Sequence, residues 1–370
     1  MSYDVQLWVV EEPFLETLLR PKDGWKQGTD SWVKGARKWQ LVVTKPANVE
    51  PEDVPEVVAQ ALPGIGYLVA VSLEPLGAPE AAHRLLRQAT KAIARAAHGA
   101  VFDPQTDEII LPSGVRRYQA PLRRESFSLL ELSWFFTDSP LHDRNGPKRF
   151  VDVLATLLPE ALPRRYGEYE PPQYRLEETG IDRFVAFMNE HRADTKVWYP
   201  NRPVASVSLV FDEHWGWERR GFRANYITLA IEEGAMAQPG WGKQLQRVWH
   251  SLSMLIRPFY GDVRTLGGYS RFGATVGIGP DTERHPVQAW WWRGIPRSIG
   301  HASVIGHPYL ELWPAFTHAA TVEEGLAFLS KLAWEGSEDV SAAIGGIPEE
   351  LVQPEAGYSV SWPFEKPAEG

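Results

Sequence analysis

The chain has 370 residues, a formal net charge of −9, 44% hydrophobic and 23% charged residues, and no cysteine. That length exceeds what one hydrophobic core usually serves, so two domains are expected, and the balance of apolar and charged residues is that of a folded globular chain rather than a disordered one. Lack of Cys excludes disulfides, thiolate metal sites and a Cys nucleophile.

The N-terminal stretch MSYDVQLWVVEEPF alternates Val5, Leu7 and Val9 with other residues, the period of a half-buried strand. It carries no basic leader, and no apolar run in the chain matches a bilayer span. A cytoplasmic protein with no membrane partner is therefore expected. KWQLVVTKP (38–46) reads as a second strand stopped by Pro46, and VEPEDVPEVVAQALPG (49–64) as a short helix with acids near its start. IGYLVAVSLEP (65–75) is a strand apolar enough for a sheet interior. APEAAHRLLRQATKAIARAAHG (78–99) is the clearest helix, rich in Ala, Leu and Arg, with Gly99 placed to cap it. AVFD and EIILP follow as short strands around the turn DPQTD.

SFSLLELSWFF fits strand or helix, and TDSPLHDRNGPK (137–148) is a loop by composition. RFVDVLATLLPEALP is helical, and the proline-broken EYEPPQYRLEE (168–178) places a domain boundary near 175. The second half repeats this vocabulary: a helix at DRFVAFMNEHR, strands at PVASVSLVFD (203–212) and NYITLAIEE (225–233), an amphipathic helix at GKQLQRVWHSLSMLIRPFYG, a Trp-rich strand, and a helix at 322–334. The expected class is α+β: two modules, 1–175 and 176–370, each with a largely antiparallel sheet and packed helices. An internal echo suggests duplication, because VDVLATLLPEALPRRYGEY (151–169) lies over LQRVWHSLSMLIRPFYGDV (245–263) without a gap. Two unrelated core helices, each followed by a capping glycine, account for the echo more simply.

Chemical motifs are sparse. GGYSRFGATVGIGP (267–280) lacks the Lys-Ser/Thr of a Walker loop, and LPGIGYL precedes a strand, the wrong order for a dinucleotide fold. No GxSxG elbow exists. FDEHWGWERR sets Asp212 and His214 two apart, on one face of an extended segment, and His301 or His307 would have to complete a metal or hydrolytic site. No recognised ligand spacing supports one, so no metal and no cofactor are expected. Paired arginines at 116–117, 123–124, 164–165 and 219–220 beside aromatics suit base stacking. The acidic balance argues against nucleic acid. Ten acids against two lysines give residues 321–370 a charge of −8, leaving the rest of the chain at −1.

Sixteen tryptophans are many for this length, and three stand together at Trp290–Trp292. Strand geometry would turn Trp291 away from its two neighbours, so the triplet is expected to be mainly core, with contacts made from the loops beside it. HGAVFDPQTDEIILPSG (98–114) and WWWRGIPRSIGHASVIGHPYLELWP (290–314) resemble bacterial proteins of the immunity type, which are encoded beside secreted or polymorphic toxins. The first matches their helix–turn–strand unit and the second their W-x-x-G-I-P turn. The resemblance implies a non-catalytic, defence-associated protein that docks on a protein partner, such as a toxin, and neutralises it. The acidic C-terminal segment and loops 213–223 and 293–308 would make the contacts, the loops through Trp215, Trp217, Arg219, Arg220, Arg293, Arg297, His301 and His307. The alternative is a metal-dependent hydrolase with a site near Asp212, His214, His301 and His307.

Overall fold

The computed structural model describes residues 2–104, 106, 108–117, 126–168, 172–194, 196–212, 217–218, 221–272, 275–278, 281–287, 291–330 and 347–354. The chain is an α+β protein of two compact units. The first is residues 1–125 with 169–173 and 270–277; the second is 126–168, 174–269 and 278–370. The chain thus enters the second unit at Ser126, not near 175. The ambiguous SFSLLELSWFF is the reason: it forms the strand Phe127–Phe136, which lies inside the second unit's sheet.

The first unit is built on an antiparallel sheet. Its seven main strands in chain order are Tyr3–Val9, Ser31–Ala36, Trp39–Thr44, Tyr67–Glu74, Gly99–Asp103, Glu108–Leu111 and Gly114–Arg117. They lie side by side in the order 2-3-4-1-5-6-7. Alternation along the strands puts Val5, Leu7, Val9, Val69, Val71 and Val101 on one face, where the helix Glu80–Ala96 covers them with Leu86, Ile93 and Ala94. The other face carries Trp8, Leu68, Ala100, Phe102 and Ile109, packed against Val54 and Val58. Gly99 does not cap the helix. His98 takes the left-handed conformation there (φ 49°), and Gly99 opens the next strand, where a Cβ would stand 2.9 Å from the Trp8 carbonyl oxygen.

The second unit has the same connectivity. Its seven main strands are Phe127–Phe136, Lys196–Trp198, Val204–Val210, Asn225–Glu232, Tyr260–Phe272 (of which residues 260–269 belong to this unit), Ala302–Ile305 and Leu326–Ser330, again ordered 2-3-4-1-5-6-7 and antiparallel. In both units a long helix, here Trp241–Ile256, joins the fourth strand to the fifth and crosses the sheet. It covers Leu130, Leu132, Trp134 and Val263, and Trp134 donates its indole N–H to Ser253 Oγ at 2.8 Å while stacking on Trp249. The helices Gly146–Leu157 and Trp241–Ile256, which carry the sequence echo, sit in this one core rather than in corresponding places of two modules. The strands after these two helices also differ: two residues at Arg165–Tyr166 in one case, thirteen residues from Tyr260 in the other.

Two further expectations are corrected. Residues 322–330 are not helical but form the hairpin Thr321–Glu323 and Leu326–Ser330. Its two-residue turn has positive φ at both Glu324 (45°) and Gly325 (81°), the backbone a tight hairpin needs. The helical signal of Glu323 and Glu324 competed with turn chemistry that Asn-Gly or Asp-Gly would have advertised. The Trp-rich strand is short: Trp291–Trp292 pairs with Gly221–Arg223, which pairs with Trp217–Glu218. Trp292 is 1% exposed and donates to Tyr309 Oη at 2.8 Å, while half-buried Trp291 meets the Arg223 guanidinium. The core expectation therefore holds for Trp292; Trp290 lies outside the described residues.

Candidate functional site

The second face of the second unit's sheet is where polar chemistry gathers. In the ladder, Ser133 lies opposite Asp262 on one side and Thr228 on the other; Glu131 lies opposite Arg264, and Ser303 opposite Asp262. Residues directly opposite in a ladder share a face, so these six side chains form one patch. Phe135, Tyr260 and Trp292 wall it at one end.

Asp262 is its centre. It is fully buried, yet both carboxylate oxygens are occupied. Oδ2 accepts from Arg264 Nε at 2.5 Å and from the Tyr260 hydroxyl at 3.0 Å, and Oδ1 pairs with His285 Nε2 at 2.8 Å. Burial alone would raise the Asp262 carboxyl; the His285 ring and the Arg264 guanidinium outweigh it and hold the group below the ordinary carboxylate range. Burial likewise works to lower His285, and Asp262 overcomes it, so the imidazole holds its proton above its usual pKa. Glu131 behaves oppositely. Burial dominates, and its carboxyl is pushed up even though the Ser133 hydroxyl donates to it at 3.2 Å. Two neighbouring carboxyls are thus driven apart, one towards the charged form and one towards the neutral form.

The cluster fastens one loop to the sheet. His285 meets Asp262, and Arg264 Nη2 donates to the Ser298 carbonyl. The Gly267 amide donates to the Glu283 carboxylate at 2.7 Å, and Thr282 Oγ1 donates to the Gly268 carbonyl at 2.8 Å. His301 N donates to the Val263 carbonyl at 2.7 Å. Both ends of the segment running from Asp281 to His301 are therefore tied to the strand Tyr260–Phe272. Between them opens a cleft of 560 Å³, lined by Arg264, Glu283, Arg284, Ser298 and His301 among others.

Asp262 and His285 are engaged within the cluster. His285 Nδ1 lies 3.3 Å from the Val287 carbonyl, to which it donates when the ring is charged, and 3.1 Å from the Val287 amide, from which it accepts when the ring is neutral, so Asp262 and Val287 use both ring nitrogens. Among the described residues no hydroxyl stands at hydrogen-bond distance from His285 to act as a nucleophile. The arrangement positions the described parts of a loop.

The residues expected to bind fall elsewhere or at the margin. His301 is exposed and lines the cleft. Arg297, also exposed, pairs with Glu349 at 3.3 Å, and Arg293 donates to the Pro354 carbonyl at 2.7 Å, holding the 347–354 segment. His307 is exposed and pairs with Glu311 one helical turn on. Trp215, Arg219, Arg220 and His214 lie outside the described residues, and Trp217 is placed only as strand backbone. His301 and His307 flank the strand Ala302–Ile305, separated by about 20 Å of extended chain, so they do not share a site. Asp212 has its amide and carbonyl bonded to the Asn225 side chain. Among the described residues no group of three or more His, Asp or Glu is placed to hold a metal ion, and no helix is long and apolar enough to cross a membrane.

Sequence reasoning missed Glu131, Asp262, Arg264 and His285 altogether. One signal was present: Tyr260, Asp262 and Arg264 alternate in YGDVR, charged residues on one face of a strand whose other face is apolar. No family model, no curated protein and no solved structure matches this chain.

Proposed function

We propose that this chain is a non-catalytic protein-binding protein of the immunity or defence-associated kind, acting in the bacterial cytoplasm by docking on a partner protein and neutralising it. One observation carries the reading: the segment from Asp281 to His301 is tied to the sheet through Asp262, Val263, Arg264, Gly267 and Gly268. Side chains fixed before docking avoid the cost of being immobilised on it, about 0.5–1.5 kcal/mol for each. The described residues of this segment present Arg284, Arg297 and His301 to solvent, and arginine is enriched in binding hot spots. The saturated bonding of Asp262 and His285 supports docking over turnover.

The test is co-expression in a sensitive host with the products of the reading frames adjacent to this gene. One product is expected to arrest growth alone, to be neutralised by this chain, and to co-purify with it in a fixed ratio. Protection at far less than one chain per toxin molecule would demonstrate turnover and overturn the reading. So would failure of every neighbouring product to bind.

A further inference from the structure

The two units share strand order, strand direction and the placement of the long helix, and their ladders can be matched residue for residue. Gly99 pairs with Val9, and Gly261 with Trp134. A Cβ on Gly99 would stand 2.9 Å from the Trp8 carbonyl oxygen; one on Gly261 would stand 2.9 Å from the Ser133 carbonyl oxygen. The same close approach fixes the same register. Trp8 then corresponds to Ser133, Gln6 to Glu131, Ala100 to Asp262, Phe102 to Arg264 and Leu68 to Thr228. One step past the last pair of its ladder, Arg264 faces His301, as Phe102 faces Ile109.

This fold can therefore fill the patch with uncharged, mostly apolar side chains, as the first unit does with Trp8, Leu68, Ala100 and Phe102 around Gln6. Replacing buried charges by packed apolar groups is often neutral or stabilising, so folding gives no reason to keep Glu131, Asp262, Arg264 and His285 together. Their consequence is the cleft. Asp262 holds Arg264 in one orientation: Nε donates to Asp262, Nη2 to the Ser298 carbonyl and Nη1, at 3.5 Å, to Ser298 Oγ, one hydrogen from each nitrogen. A guanidinium has five donor hydrogens, so donors remain for a guest. Arg284 and His301 are exposed and line the same cleft, and their side chains make no hydrogen bond among the described residues. Glu283, the acid among the described lining residues, is turned to the Gly267 amide. The remaining guanidinium hydrogens of Arg264, beside the exposed Arg284, suit a carboxylate.

We infer that the second unit is the binding copy of a duplicated fold, and that its cleft between Arg264, Arg284 and His301 receives a carboxylate side chain of the docking partner. This rests on the protein-binding reading for its source of carboxylate, but the site itself can be tested without a partner. Glutarate serves as the probe, titrated against 15N-labelled protein at constant ionic strength, with inorganic phosphate as a parallel arm. Saturable glutarate shifts are expected at the Gly267 and His301 amides and the Arg264 Nε–H. They should fall at least tenfold in apparent affinity in the exposed double variant Arg284→Ala/His301→Ala. A triple variant copying the first unit, Glu131→Gln/Asp262→Ala/Arg264→Phe, should fold and lose the shifts. If the triple variant does not fold, the double variant decides. Absence of saturable shifts in the unaltered protein, equal shifts in the double variant, or tighter binding of phosphate than of glutarate would each overturn the carboxylate site. Failure to find a toxin partner would leave these shifts in place.

Discussion

Changing Asp262 to Asn keeps the shape of the side chain and removes the charge on which Arg264, His285 and Tyr260 converge. The Arg264 guanidinium cannot shed its proton, so it stays charged at 12% side-chain exposure facing an amide. His285 can deprotonate and so limits the damage. Breaking a buried pair by removing one partner costs about 3–5 kcal/mol, and the lower half of that range is expected here because of the His285 release. The pH dependence is a sharper mark. The raised His285 pKa contributes stability that is complete below the unfolded value, about 6.5, and is lost as pH rises through the folded value. The lowered Asp262 pKa contributes stability present above the unfolded value, about 3.9, and lost as pH falls through the folded one. The difference between unaltered protein and variant should therefore be largest near pH 5 and shrink above neutrality. Urea unfolding followed by tryptophan emission, at pH steps from 4 to 9, measures it. A difference below about 1 kcal/mol, the scale of an exposed ion pair, or one flat across pH, would show that the cluster does not hold its charges as argued.

Gly261→Ala should destabilise the second unit by about 2–3 kcal/mol, since the new methyl meets the Ser133 carbonyl oxygen and Val304 Cγ1, both at 2.9 Å; Gly99→Ala should do the same to the first unit, and denaturant midpoints read both. Trp292→Phe removes the donor to Tyr309 and part of a buried ring, with an expected loss of about 1.5–3 kcal/mol in chemical denaturation. Lys196→Met should stabilise. Burial pushes the Lys196 ammonium down to about 8, beside the Phe211 ring, so the unfolded chain binds more protons between about pH 8 and the ordinary lysine value. Stability of the unaltered protein should rise across that window, and the Met variant should lack the rise and gain about 1–3 kcal/mol at pH 7.

Much of the architecture was legible because local periodicity and capping chemistry agreed with it. The strand Tyr3–Val9, the helix Glu80–Ala96 and the helix Trp241–Ile256 each carry their own apolar face in the order of their residues. The hairpin at Glu324–Gly325 was not legible, because its turn needs a left-handed glutamate that propensity assigns to a helix. The domain boundary was misplaced for a related reason. Phe127–Phe136 is mostly apolar on one face and mixes Phe127, Leu129 and Phe135 with Glu131 and Ser133 on the other, and so broken an alternation does not say to which sheet it belongs.

The amino-acid order by itself determined an α+β protein with antiparallel strands, packed helices and a tryptophan-rich interior, since those follow from residue spacing within single elements. The cluster of Glu131, Asp262, Arg264 and His285 was decided only in three dimensions. Its members come from two strands and a loop, 154 residues apart at the extremes of their numbering. The repeat, too, became visible only there, because ladder register and a shared close approach at Gly99 and Gly261 are properties of paired backbones, whereas the side chains on that face run from apolar in one unit to charged in the other.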